Sequence, residues 1–114
     1  MTDCLFCKMV SGEIQPDVVY EDEDVLAFRD VNPQAPTHVL VIPKKHIATT
    51  NDLDADNVDL IGKCCLAAKQ VAADAGIAER GYRLVLNCNP EAGQSVYHIH
   101  LHLLGGRPMN WPPG

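Results

Sequence analysis

The sequence predicts an α+β fold: an antiparallel sheet of about five strands with one long helix on a face and a short helix at its N-terminal end. Three observations lead there. Five β-prone runs are separated by turn residues, an apolar pattern of helical period begins near Asp54, and "YHIHLHLLGG" alternates polar and aliphatic residues with a period of two. With 114 residues and 46% hydrophobic content the chain can build one core, so residues 1–114 are read as a single domain.

"CLFCKMVSGEI" reads as one or two helical turns closed by Gly12, and Pro16 starts the next segment extended. "DVVYEDEDVLAFRD" reads as a hairpin, with strands at 18–20 and 25–28 around a solvated acidic turn. "VNPQAP" is a loop, and "THVLVIP" a strand ended by Pro43. Ile61, Cys64, Cys65, Ala68, Ala72 and Ala75 recur at three- and four-residue steps, which predicts a long helix beginning near Asp54 and capped by Gly76. Asp54, Asp56 and Asp59 suit its positive end. "GYRLVLN" and "VYHIHLHLL" complete the sheet around the loop "CNPEAGQS".

A net charge of -6 and a pI near 5.1 argue against a nucleic-acid partner, because the summed field repels phosphate backbones, but leave room for a small nucleotide in a local pocket. No apolar run approaches the ~20 residues of a membrane span, and "MTDCLFCKMV" lacks the basic start and apolar stretch of a signal peptide. A cytoplasmic protein with no membrane partner is expected. Five cysteines, two of them adjacent, do not read as a disulfide framework. Cys64, Cys65 and Cys88 are read as reduced core thiols.

His98, His100 and His102 would line one face of a strand at about 6.6 Å spacing, with Ile99, Leu101 and Leu103 entering the core. Thr or Lys would serve a wet face equally well, so a chemical role is the better reading. Two are open. H-x-H can supply two ligands to a catalytic zinc, or one neutral imidazole can attack phosphorus once a neighbour fixes its tautomer. Gly93, Gln94 and Ser95 precede the histidines as a turn with outward amides and neutral donors, a small anion-binding nest. Glu91 is the only acid close by to serve a zinc hydrolase as base, which favours the nucleophile.

"HIHLHLL" resembles the H-φ-H-φ-H-φ-φ motif, φ being apolar, of the histidine-triad (HIT) superfamily of nucleotide hydrolases and transferases. "LAFRDVNPQAPTHVLVIPKKHI", "GQSVYHIHLHLLGGR" and the tail "MNWPPG" are similar to its nucleotide-binding Hint branch, so the likeness covers nearly the whole chain. The resemblance implies a HIT-like fold that forms a homodimer through one continuous sheet, with the tail around Trp111 approaching the partner's site. It implies a purine nucleoside phosphoramidase acting on adenosine 5′-phosphoramidates and aminoacyl-adenylates, with no cofactor required for catalysis.

Carried over residue by residue, the resemblance makes His100 the nucleophile that takes the nucleotide as a covalent nucleotidyl-histidine and yields it to water. His102 stabilises the phosphate charge. Ser95 and the backbone of Gly93 and Gln94 hold phosphate oxygens, and Ser95 is placed to pass a proton to the leaving amine. His38 sits beside the phosphate, and Asn87 contacts the ribose–phosphate region. Asp30, with Val31 alongside, holds the ribose hydroxyls; without the resemblance it reads as a strand-end turn residue. Leu5, Phe6, Ile14 and Phe28 form the slot for the purine of an AMP-like or GMP-like ligand. Arg29 departs from the pattern, since eukaryotic members commonly carry histidine there, and it leaves the base preference open.

Some bacterial relatives with the same C-x-x-C hold a structural zinc, and the matching residues here are Cys4, Cys7, His46 and His98. The alternative is a reduced thiol pair. Three rival functions stand beside the phosphoramidase: a nucleotide-binding regulatory module with incidental turnover, a metal-dependent hydrolase using the triad as ligands, and a dinucleoside polyphosphate hydrolase of the same superfamily.

Overall fold

A computed structural model describes residues 3–114. Helix α1 (Leu5–Val10) leads into strands β1 (Val18–Glu21), β2 (Val25–Arg29) and β3 (Thr37–Pro43), followed by helix α2 (Asp59–Asp74) and strands β4 (Tyr82–Leu86) and β5 (Leu101–Gly105). The hairpin turn is closed by the Asp22 carboxylate, whose Oδ1 accepts the N–H groups of Asp24 and Val25 at 2.8 and 2.9 Å. All strand pairs are antiparallel, in the order β1-β2-β3-β5-β4. This is the α+β fold the sequence predicts, with the long helix and the short N-terminal one.

The two faces of the sheet do different work. Val25, Ala27, Val39, Val41, Leu101 and Leu103 bury against Cys64, Ala67, Ala68, Val71 and Ala72 of α2. Leu26, Phe28, Leu40 and Ile42 point the other way and pack under Phe6 of α1. Since Leu40 pairs with His102 and His102 with Val85, His102 shares this second face, beyond the cover of α1.

α2 ends in a Schellman cap: Gly76, at φ 75°, donates to the Ala73 carbonyl and buried Ile77 to that of Ala72. Its start differs from expectation. Asp54 accepts the N–H groups of Asp56 and Asn57 through its Oδ1, making a closed turn that delays the helix to Asp59 and leaves only Asp59 in its first turn. Cys64 is a core thiol as expected, but Cys65 is exposed and Cys88 only half-buried. Cys65 follows Cys64 by one helical step of about 100°, which carries it off the buried stripe set by Ala67, Ala68, Val71 and Ala72.

The strand expected over "VYHIHLHLL" begins only at Leu101. In continued register Ile99 would face Pro43, which has no N–H to give, so the β3 ladder stops at the Val41–Leu101 pair. Ile99 instead donates its N–H to the Ile47 carbonyl at 2.6 Å. Among the described residues no helix is long and apolar enough to cross a membrane.

Candidate active site

Between α1, β2, β3 and the segment at 95–96 lies a cleft of about 570 Å³. Leu5, Phe6, Ile14 and Phe28 line its apolar end together, with Phe6 edge-on to Phe28 at 5.4 Å between ring centroids. Met9, Leu40 and Val96, which the sequence reading passed over, add to that lining. Asp30, Ser95, His100 and His102 give it its polar part, with Val31 beside Asp30. Asp30 uses Oδ1 to accept the Asn32 N–H at 2.8 Å, which fixes its carboxylate at the strand end.

The three alternate histidines do not converge on one point. His98 is fully buried, and its Nε2–H donates to the Pro43 carbonyl at 2.7 Å. Its Nδ1 lone pair therefore faces Cys4 and Cys7, at 3.4 and 3.5 Å from the two Sγ atoms. His46 brings its own Nδ1 to 3.3 Å from Cys7 Sγ, and the four ligand atoms lie within 4.8 Å of one another. Two thiols, two imidazoles and an outer carbonyl that fixes a ligand tautomer suit a tetrahedral zinc. Burial lowers the pKa of His98, keeping the ring in the neutral form that a metal ligand requires.

His100 is wired differently. A carbonyl can only accept, so the 2.8 Å contact between its Nδ1 and the His98 carbonyl places the proton on Nδ1 and leaves Nε2 with a lone pair. The ring lines the cleft, held edge-on by Phe6 at 5.1 Å.

His102 receives the opposite tautomer through a relay. The Gln34 N–H donates to His38 Nδ1 at 3.0 Å, so His38 carries its proton on Nε2. That nitrogen lies 3.0 Å from His102 Nδ1 and 3.4 Å from Asp30 Oδ2. With Nδ1 accepting, neutral His102 keeps its proton on Nε2 as a donor. His38, buried behind His102, acts on the cleft through it and does not line it. Asp30, His38 and His102 could in principle gather a metal, but the Gln34 amide demands a bare Nδ1 on His38, and a metal on Nε2 would have to displace the remaining ring proton. The cysteine-containing set is the better metal site.

The loop before the triad departs in part from its reading as an anion nest. The N–H of Gly93 donates to the Pro90 carbonyl and that of Gln94 to Asn89, so both amides are engaged within the loop. The Gln94 side chain is buried, accepting from Asn89 N–H and donating to the Ala48 and Val96 carbonyls. It braces the loop, and the exposed Ser95 is the donor it presents to the cleft. Asn87 follows β4 and lines a separate groove with Arg83, Val85 and Trp111. Arg29 stands at the cleft rim, paired with Asp17 at 3.1 Å.

The family model described as HIT domain matches residues 11–109. The chain is 50% identical over 107 residues to the purine nucleoside phosphoramidase of Escherichia coli (strain K12), covering 94% of this chain and 90% of that protein. It is 54% identical over 112 residues to a 14 kDa zinc-binding protein of Zea mays, covering 96% of this chain and 87% of the other. A HIT family hydrolase from Legionella pneumophila superposes with a TM-score of 0.96 at 60% identity, over 98% of this chain and 100% of that one.

Burial, then the nearby His100 and His38, push the His102 pKa down to about 4 from the ordinary 6.5. Between those values the unfolded chain binds more protons than the folded one, so this contribution is intact above pH 6.5 and is lost as the pH falls toward 4. His102 should account for a loss of the order of 2 kcal/mol between pH 7 and pH 5. Urea melts at the two pH values should show a shallower pH dependence in His102→Gln, and equal dependences would contradict the assignment.

Proposed function

The chain belongs to the HIT domain family, and from that premise we propose that it is a nucleotide hydrolase cleaving purine nucleoside phosphoramidates through a covalent intermediate on His100. The observation that carries this reading is the wiring of His100: its ring lines the cleft with Nδ1–H tied to the His98 carbonyl, so that Nε2 is the nitrogen turned free for the substrate. The activity named for the Escherichia coli relative supports the substrate class.

In this reading the purine enters the slot of Leu5, Phe6, Ile14 and Phe28, and the ribose hydroxyls donate to Asp30 near Val31. His100 Nε2 attacks the α-phosphorus of an adenosine 5′-phosphoramidate or aminoacyl-adenylate. A nitrogen–phosphorus bond forms to His100, and the bond to the leaving group breaks; a leaving amine takes its proton by way of the Ser95 hydroxyl. The positive charge this puts on the His100 ring is shared by its Nδ1–H with the His98 carbonyl, a charge-assisted hydrogen bond. His102, steadied by His38, donates Nε2–H to a phosphoryl oxygen as negative charge gathers there. Water then adds to phosphorus and gives up a proton that restores the Ser95 hydroxyl, the bond to His100 breaks with its electron pair returning to Nε2, and the nucleotide leaves.

This chemistry draws on imidazole and hydrogen-bond donors, while Cys4, Cys7, His46 and His98 would hold a structural zinc that pins α1 to the sheet. The divergence of the triad counts against its use as one metal's ligand set. Reduced Cys64, Cys65 and Cys88 fit the proposed cytoplasmic setting. A homodimer belongs to the same reading: β4 is an edge strand, and Leu84 and Trp111 beside it are exposed. Light scattering from the purified chain should give twice the monomer mass, and a monomer at working concentration would remove that part.

Replacing His100 by Ala should abolish turnover of an adenosine phosphoramidate and leave AMP binding nearly intact, whereas Asp30→Ala should weaken AMP binding by about tenfold. Calorimetry and steady-state kinetics separate the two. Retained turnover in His100→Ala would overturn the role assignment, tight AMP binding with negligible wild-type turnover would favour the regulatory module, and faster cleavage of dinucleoside polyphosphates would move the substrate class.

A further inference from the structure

The sheet does not position the nucleophile. β5 begins at Leu101, so residues 98–100 stand outside its ladder. Two bonds tie this segment to the end of β3 and the chain just beyond it: Ile99 N–H to the Ile47 carbonyl, and His98 Nε2–H to the Pro43 carbonyl. The other face of the His98 ring meets the thiols of Cys4 and Cys7. The same residue supplies, through its backbone carbonyl, the acceptor that fixes His100. Phe6 joins the two sites again from α1, edge-on to His98 at 5.9 Å and to His100 at 5.1 Å.

We propose that His98 is a positioning residue for His100, and that zinc binding by Cys4, Cys7, His46 and His98 sets the turnover rate by holding the nucleophile in its Nδ1–H tautomer. This deepens the reading of His100 as nucleophile and rests on it. The physical basis is the number of anchors. With both ring nitrogens of His98 engaged, the ring cannot turn about either contact, and its carbonyl keeps one direction. With the metal removed, the Pro43 contact and the Ile99 N–H bond remain. The Ile99 N–H shares a peptide plane with the His98 carbonyl and takes its direction from Ile47, the residue directly after His46. Releasing His46 and the thiols therefore loosens both the His98 ring and the main-chain acceptor that aims its carbonyl. Partners of this kind, one shell from the reacting group, commonly carry 10- to 100-fold, roughly, in activity or affinity.

The test compares zinc-loaded wild type, metal-stripped wild type and His46→Ala, which removes an exposed ligand while keeping His98 and both thiols. Three quantities are read on each: kcat and KM for an adenosine phosphoramidate, the dissociation constant for AMP, and the tautomer of His100 from long-range 1H–15N correlations of its ring. The zinc-loaded protein should show a single Nδ1–H tautomer. Stripping should mix the tautomers and lower kcat by about tenfold or more, a larger factor than the weakening of AMP that follows as Leu5 and Phe6 of α1 loosen, and added zinc should restore His46→Ala toward wild type. An unchanged tautomer and kcat after stripping would overturn the proposal. So would a joint loss of kcat, AMP binding and spectral dispersion, which would make the metal a support of the fold alone. If zinc-loaded wild type turns over no phosphoramidate, the functional reading fails, while the tautomer comparison still decides whether the cluster positions His100.

Discussion

One backbone carbonyl, that of His98, decides which nitrogen of the His100 ring carries the proton, and the chemistry of the cleft depends on that choice. With the proton on Nδ1 the lone pair is on Nε2; a reversed tautomer would present a donor where the reaction needs a nucleophile. The neighbouring relay gives His102 the complementary state, with its donor nitrogen left for the phosphate by the chain from Gln34 through His38. Two imidazoles two residues apart thus take opposite tautomers, each set by a main-chain group: a carbonyl for one and an amide, acting through a third ring, for the other. Burial keeps His38 and His102 neutral, so the arrangement holds at the pH where a neutral nucleophile is useful.

The fold supplies these main-chain groups by ending its ladder at the right residue. β3 runs buried through the sheet and stops at Pro43, whose missing N–H leaves no ladder for Ile99 and whose carbonyl is taken by the His98 side chain. The segment carrying His98 and His100 is thereby pulled out of the sheet toward α1, where Phe6 and the two thiols meet it. α2 packs the opposite face and takes no part in lining the cleft. One face of the sheet serves stability, the other function.

Much of this is legible in the chain. The helix stripe at Cys64, Ala68 and Ala72, the five β-prone runs and the alternation around the histidines all follow from side-chain period, because burial on one face is what selects those residues. The slot residues and the cysteine–histidine set came from the likeness to a known family, and the structure brings each set together. Main-chain partners were not legible. Nothing in the letters marks the Gln34 amide or the Pro43 carbonyl as tautomer-setting groups, since every residue but proline carries the same donor and acceptor. Gln94 misled for a related reason: its polar side chain suits a ligand contact and a loop brace alike, and only burial shows that it serves as the brace. Cys65 falls in the same three- and four-residue pattern as Cys64, four residues after Ile61, yet it faces solvent because one helical step carries it off the core stripe.

The proposed covalent bond between His100 and the nucleotide is open to capture by rapid quenching. Enzyme mixed with an adenosine phosphoramidate, stopped at neutral pH in denaturant within the first turnover and digested, should yield an adenylylated peptide with the modification on His100, absent from His100→Ala. Turnover with no adduct at any quench time, or an adduct on another residue, would contradict the account.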